Sequence, residues 1–145
     1  MQSITNMKVE RTLIYDGILF YYSRKGNTKA IVNLFEGIYQ IDEIENIKNY
    51  QLNQYNTIIF ATSTYGRGIP PIEFFRVKDK LLTIKNKRVG LFGSGNTHYE
   101  YFCGALDLLE ELLGSKNRII FKYKYEGYPK QLDFDNVRGI IDEII

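Results

Sequence analysis

The chain has 145 residues, with 19 Lys and Arg against 17 Asp and Glu, for a formal net charge of +2. That length makes one domain able to bury a core, and so slight a positive excess gives no argument for nucleic acid. The single cysteine, Cys103, excludes an internal disulfide and a Cys-rich zinc site; no apolar run approaches a membrane span, and residues 1–16 lack the core of a signal peptide. A soluble, cytoplasmic, monomeric domain is expected, with no metal and with neither nucleic acid nor membrane as partner.

Residues 1–17 are set apart as an N-terminal extension: Thr12-Leu13-Ile14-Tyr15 reads as a short edge strand turning at Asp16-Gly17, or as a loose arm. Residues 18–145 form the domain proper. Its first strand, Ile18-Leu19-Phe20-Tyr21-Tyr22, is apolar throughout, as a strand covered on both faces should be. It runs into Ser23, Arg24, Lys25, Gly26, Asn27 and Thr28, followed by a short helix over 29–35. Hydroxyls, a glycine and the unbonded amides of a helix start make an anion cradle, and Arg24, Lys25 and Lys29 lend it positive charge. A phosphate suits it, although the same residues also suit a helix-capping turn with solvated lysines. The long glycine-rich spacing of a Walker A loop is missing.

A second strand is expected over 37–41, then a polar, Asn-rich stretch over 42–55 that reads as loop or irregular helix. The third strand, 56–61, ends in Thr62, Ser63, Thr64, Tyr65, Gly66, Arg67 and Gly68, again hydroxyls and glycines with one aromatic. A helix over 72–82 begins after Pro70-Pro71. The fourth strand, 88–92, leads into Gly93, Ser94, Gly95, Asn96, Thr97, His98, Tyr99, Glu100, Tyr101, Phe102 and Cys103. Leu106, Leu108, Leu109, Leu112 and Leu113 then repeat at helical spacing. A fifth strand is expected over 117–124, and Asp133 reads as the N-cap of a last helix with Val137, Ile140, Ile141 and Ile144 on its apolar face.

Strand and helix therefore alternate. The predicted fold is α/β, a three-layer sandwich around a five-stranded parallel sheet in the order 2-1-3-4-5. Right-handed crossovers bring the ends of strands one, three and four to one edge, where open α/β sheets bind ligands. One cradle for phosphate and two aromatic loops for a ring fit a mononucleotide with a flat head. His98 reads as solvent-facing, Cys103 as a small packed residue without an activating base, and Glu43, Glu45, Glu110 and Glu111 as solvated faces. No catalytic residue is assigned.

From Ile18 onward the chain resembles the flavodoxin family, most closely over residues 95–107, which look like the flavin loop of short-chain members. The resemblance implies flavin mononucleotide (FMN), held without a covalent link and cycling by single electrons between redox partner proteins. By position, Ser23, Arg24, Lys25, Gly26, Asn27 and Thr28 would hold the phosphate. Tyr65 and Tyr99 would sandwich the ring, with Thr62, Ser63, Thr64 and Gly66 beside it. Ser94, Gly95, Asn96, Tyr101, Phe102 and Cys103 would line its pyrimidine side and the ribityl chain. The departures are a slightly basic balance where relatives are acidic, Lys25 in place of a common threonine, Arg67 near the ring, and Asn96 where a carboxylate is common. Fewer negative charges near the flavin imply an easier second reduction. The short span between Thr28 and Thr62 is similar to NrdI, the flavodoxin-like partner of a class Ib ribonucleotide reductase subunit, and makes that role the alternative. A flavin-free binding module is the third reading.

Overall fold

Ile18-Leu19-Phe20, Ile58-Ile59-Phe60-Ala61 and Leu91-Phe92 have no polar face, and all of these side chains are buried. Such strands must be covered on both sides, the situation of a parallel sheet between helix layers. The computed structural model, which describes residues 15–23, 26–63, 70–95 and 104–145, has this architecture. Strands β1 (Gly17–Tyr21), β2 (Gln40–Glu43), β3 (Thr57–Ser63), β4 (Arg88–Gly95) and β5 (Arg118–Glu126) are parallel and lie in the order β2-β1-β3-β4-β5. Class and strand order are those expected from the sequence.

Helices α1 (Asn27–Val32) and α5 (Gln131–Ile144) cover one face of the sheet; α2 (Ile72–Arg76), α3 (Lys78–Leu81) and α4 (Gly104–Leu113) cover the other. Strand alternation divides the core. Leu19, Ile59, Ala61 and Phe92 pack with Ile31, Val32, Val137 and Ile141, whereas Ile18, Phe20, Ile58, Phe60 and Leu91 pack with Phe74, Leu81, Leu106 and Leu109. Full burial of such a side chain is worth ~1.5–3 kcal/mol, so these two half-cores dominate the stability of the layers.

Several boundaries differ from the sequence reading, each for a local reason. β3 and β4 continue to Ser63 and Gly95 because ladder hydrogen bonds are made by backbone and do not need apolar side chains. β2 starts at Gln40, not Gly37: Gly37 turns with φ 79, and the Ile38 and Tyr39 amides bond back to the Phe35 carbonyl. The helix expected over 29–35 begins earlier, at Asn27, and closes in a 3-10 turn, Asn33–Phe35. The helix expected over 72–82 is two short helices, broken where Val77 leaves the helical region (φ −110, ψ 14) while burying its side chain. Between β2 and β3 the chain makes only the 3-10 turns Ile44–Asn49 and Leu52–Gln54.

Asp133 is not the N-cap of α5. Lys130 holds that place, and Asp133 in the first turn accepts the Lys130 amide at 2.8 Å and the Tyr123 hydroxyl at 2.8 Å. A bulge interrupts the outer ladder: Val89 pairs with Ile119 but Gly90 with Phe121, so Ile120 is the extra residue. The Phe121 ring lies over Gly90, where a Cβ would sit 2.2 Å from two ring atoms.

Candidate functional site

Because the strands are parallel, their carboxyl ends share one edge, and register aligns them there. Tyr21 is level with Ala61, Ser63 with Ser94, and Ser94 with Tyr125. The Tyr22 amide donates to the Ala61 carbonyl at 3.1 Å, carrying β1 alongside β3 until the chain turns away. Ser23, Thr62, Ser63, Ser94 and Gly95 are thus brought to the edge with the start of α1.

That start is a left-handed turn. Gly26 is the N-cap of α1 at φ 86, ψ −8, a conformation that disfavours any residue with a Cβ. Gly26, as N-cap, has no side chain with which to cap the helix, and the partial positive charge of the helix start faces the edge. The Ser23 hydroxyl accepts the Lys29 amide at 3.2 Å. Two long-range contacts fix the turn to the sheet. Thr28 Oγ1 and Ser94 Oγ share a hydrogen bond at 3.4 Å, and the Tyr125 hydroxyl donates to the Asn27 carbonyl at 3.0 Å.

Tyr125 escaped the sequence reading, although the signal was present. Phe121, Tyr123 and Tyr125 alternate along β5 and all face the α1/α5 half-core, a period-two pattern that puts a phenol at the edge. Lys29 packs back on the end of β1. Its Nζ donates to the Tyr21 hydroxyl at 3.1 Å and sits 4.4 Å from that ring's centroid, over β1.

The edge is polar as well as glycine-bearing. Thr28, Thr57, Thr62 and Ser94 are buried polar residues, and all but Thr57 stand here. Thr62 Oγ1 donates to the Ser63 carbonyl at 3.0 Å. Ser63 Oγ is buried with no hydrogen-bond partner among the described residues. Burying a hydroxyl without a partner is unfavourable, so this atom suits a ligand that bonds to it. Gly26 and Asn27, at the start of α1, fall beside these groups. Arg24, Lys25, Thr64, Tyr65, Gly66, Arg67, Asn96, His98, Tyr99, Glu100, Tyr101, Phe102 and Cys103 lie outside the described residues.

Two charged networks flank the edge. On β5, Lys122 Nζ donates to Asp107 and Glu110, each at 2.7 Å, and Lys124 Nζ reaches Asp107 at 3.1 Å. Burial pushes the Asp107 carboxyl up, but the bonds from Lys122 and Lys124 outweigh it and hold the group below its ordinary value. Glu110 is therefore an ion-pair partner and not only a solvated face. At the end of β2, Asp42 accepts the Tyr50 hydroxyl at 2.6 Å, Asn46 Nδ2 at 2.8 Å and the Glu43 amide at 2.7 Å. Burial raises its pKa, and these bonds together lower it further than burial raises it. Burial and the Asp42 carboxylate push Tyr50 up to about 12.

Comparison with known proteins agrees with this geometry. A model of the flavodoxin family matches residues 19–127. Probable flavodoxin 2 of Bacillus subtilis (strain 168) is 36% identical over 103 residues, spanning 64% of this chain and 68% of that protein. The flavodoxin of Maridesulfovibrio salexigens is 30% identical over 143 residues, spanning 88% and 97%. The crystal structure of oxidised Flavodoxin 2 from Bacillus cereus superposes with a TM-score of 0.77 at 28% identity, over 90% of this chain and 99% of that one.

Proposed function

The chain belongs to the flavodoxin family, and on that footing we propose that it carries electrons, one at a time, between redox proteins on noncovalently bound FMN. FMN, when bound, supplies the redox chemistry; the protein supplies binding, orientation and electrostatics. The observation that carries the reading is the edge itself: Ser23, Gly26, Asn27 and Thr28, Thr62-Ser63 and Ser94-Gly95 converge, with the buried Ser63 Oγ lacking a hydrogen-bond partner among the described residues.

In this assignment Ser23, Arg24, Lys25, Gly26, Asn27 and Thr28 hold the phosphate. Gly26 lets the backbone turn back on itself, the amides of α1 donate, and Tyr125 and Ser94 keep the turn in place through Asn27 and Thr28. Thr62, Ser63, Thr64, Tyr65 and Gly66 take one side of the ring. Ser94, Gly95, Asn96, Tyr99, Tyr101, Phe102 and Cys103 take the other side and the ribityl chain, with Tyr65 and Tyr99 stacking on the ring. Residues 18–145 are the FMN-binding domain, residues 1–17 an extension, and the protein works as a cytoplasmic monomer. The partners are a reductase and an acceptor protein.

Flavin-stripped protein mixed with FMN tests this reading. Saturable quenching of flavin fluorescence at one site per chain is the expected result, with affinity lowered by Tyr99→Ala. A protein that leaves FMN fluorescence unchanged would remove the assignment.

One observation favours a second role. The β2-to-β3 crossover consists of 3-10 turns with no α-helix, a reduction similar to NrdI. The discriminating assay supplies the reduced protein to the dimanganese subunit of a class Ib ribonucleotide reductase. Activation of that subunit would favour the NrdI-type role, and its absence the general carrier.

A further inference from the structure

The opposite pole of the sheet, where the strands begin, carries a concave site of its own. A cleft of about 670 Å³ opens there between the turns that lead into β4 and β5, with Lys87, Arg88, Lys116 and Arg118 on its walls and Asp16 as its one acid. We propose that this cleft binds a short polyphosphate, free or carried by a nucleotide.

Charge is the first argument. Removing those four cations from 19 Lys and Arg, and Asp16 from 17 Asp and Glu, leaves the rest of the chain at minus one. The whole positive excess of the molecule is thus gathered in this cleft, at a net +3. None of the four cations makes an ion pair among the described residues. The Asp16 carboxylate is engaged by Asn56 Nδ2 at 2.7 Å.

Preorganisation is the second. Arg88 and Arg118 are direct register partners on neighbouring parallel strands, a like-charge juxtaposition that opposes pairing. The turns beneath them are laced together by backbone: the Asn86 amide donates to the Lys116 carbonyl at 2.8 Å, and the Arg118 amide to the Lys87 carbonyl at 2.9 Å. Asn117 Oδ1 accepts the Lys87 amide at 3.0 Å. The Arg88 guanidinium is aimed by bonds to Thr57 Oγ1 at 3.3 Å and the Ile144 carbonyl at 3.2 Å. Arg88 thus has a structural duty at the end of α5, and Lys116 follows the end of α4, where a cation is favourable. Arg118 has neither excuse.

Size and charge together select the ligand. A single phosphate, at about −1.5 to −2, neutralises only part of a +3 cleft, whereas linked phosphoryl groups carry enough charge to neutralise all of it, and the volume is that of a small-ligand site. The cleft is distinct from the FMN edge, because β4 runs from Arg88 to Gly95 and spans about 23 Å between the two poles.

The test is a ¹⁵N–¹H titration of protein saturated with FMN, using sodium tripolyphosphate at about 20 mM salt, where screening is weak, with ATP and sulfate in parallel. Saturable shifts are expected at Asn86, Lys87, Arg88, Asn117 and Arg118, with affinity about tenfold or more weaker in Lys87→Gln/Arg118→Gln. Equal affinity for ATP assigns recognition to the phosphates alone; tighter ATP binding adds the nucleoside, and both support the proposal. Shifts confined to Gly26, Asn27 and Thr28, no saturable shift, an unaffected double variant, or sulfate binding as tightly as tripolyphosphate would each overturn it. The same amides report on protein that fails to take up FMN, so the two assignments fail separately.

Discussion

Replacing Ser63 by alanine should make the flavin-stripped protein more stable and its FMN complex weaker, two effects of opposite sign from one hydroxyl. In the structure Ser63 ends β3 level with Ser94, and its Oγ is buried with no hydrogen-bond partner among the described residues. An unsatisfied buried hydroxyl costs ~1–3 kcal/mol. The backbone ladder at this position does not use the side chain, so its removal relieves that cost without breaking β3. Part of the gain is lost to imperfect filling of the space, which leaves ~1–2 kcal/mol of stabilisation. In urea, the midpoint should rise with an unchanged slope, because the surface exposed on unfolding is the same. If FMN bonds to this hydroxyl, as proposed, the alanine variant forfeits ~0.5–1.5 kcal/mol of binding, a dissociation constant raised roughly 2- to 13-fold. Fluorescence titration of the stripped protein reads that change directly. A variant less stable than the parent, or one that binds FMN equally well, would refute the reasoning.

Three further outcomes follow. Gly90→Ala should destabilise the fold by about 1–3 kcal/mol, since its Cβ would lie 2.2 Å from the Phe121 ring, itself 4.6 Å from Phe92; in Gly90→Ala/Phe121→Ala the two losses should fail to add by at least ~1 kcal/mol, and additive urea midpoints would contradict the contact. The Asp42 carboxyl is held low in the folded state, so its contribution is present above the unfolded value of about 3.9 and is lost as pH falls through the folded one. Tyr50 is pushed up to about 12, so its contribution holds below about 10 and is lost as pH rises toward 12; Asp42→Asn should flatten both limbs of the stability–pH curve, and unchanged limbs would count against the network. Lys122→Ala should cost below ~1 kcal/mol, because Lys122, Asp107 and Glu110 are partly exposed, and the loss should shrink further in 1 M salt, as comparison of unfolding midpoints at low and high salt will show.

Strand order and both half-cores were legible because they rest on unbroken apolar runs such as Ile18-Leu19-Phe20 and Ile58-Ile59-Phe60. Strand ends were harder to read. Thr62-Ser63 and Gly93-Ser94-Gly95 carry loop-like side chains, yet their backbone continues the ladder of β3 and β4. Gly37 looked like the start of a strand and is instead the turn that closes the first helix. Asp133 has the right chemistry for a cap but stands inside the first turn of α5, where its carboxylate serves the Lys130 amide. Ser63 and Gly95 stand at the carboxyl ends of β3 and β4, whereas the partners that fix this edge did not show in the sequence. The contacts Thr28–Ser94 and Tyr125–Asn27 join residues far apart in the chain, and no local pattern announces such pairs.

The most direct measurement is an anaerobic reductive titration of the FMN-loaded protein followed by visible absorbance. The expected result is a yellow protein that takes up two electrons in two resolved one-electron steps, widely separated in potential for a general carrier and close together for the NrdI-type role. A colourless protein that refuses added FMN, or a flavin complex reduced in one unresolved two-electron step, would contradict it.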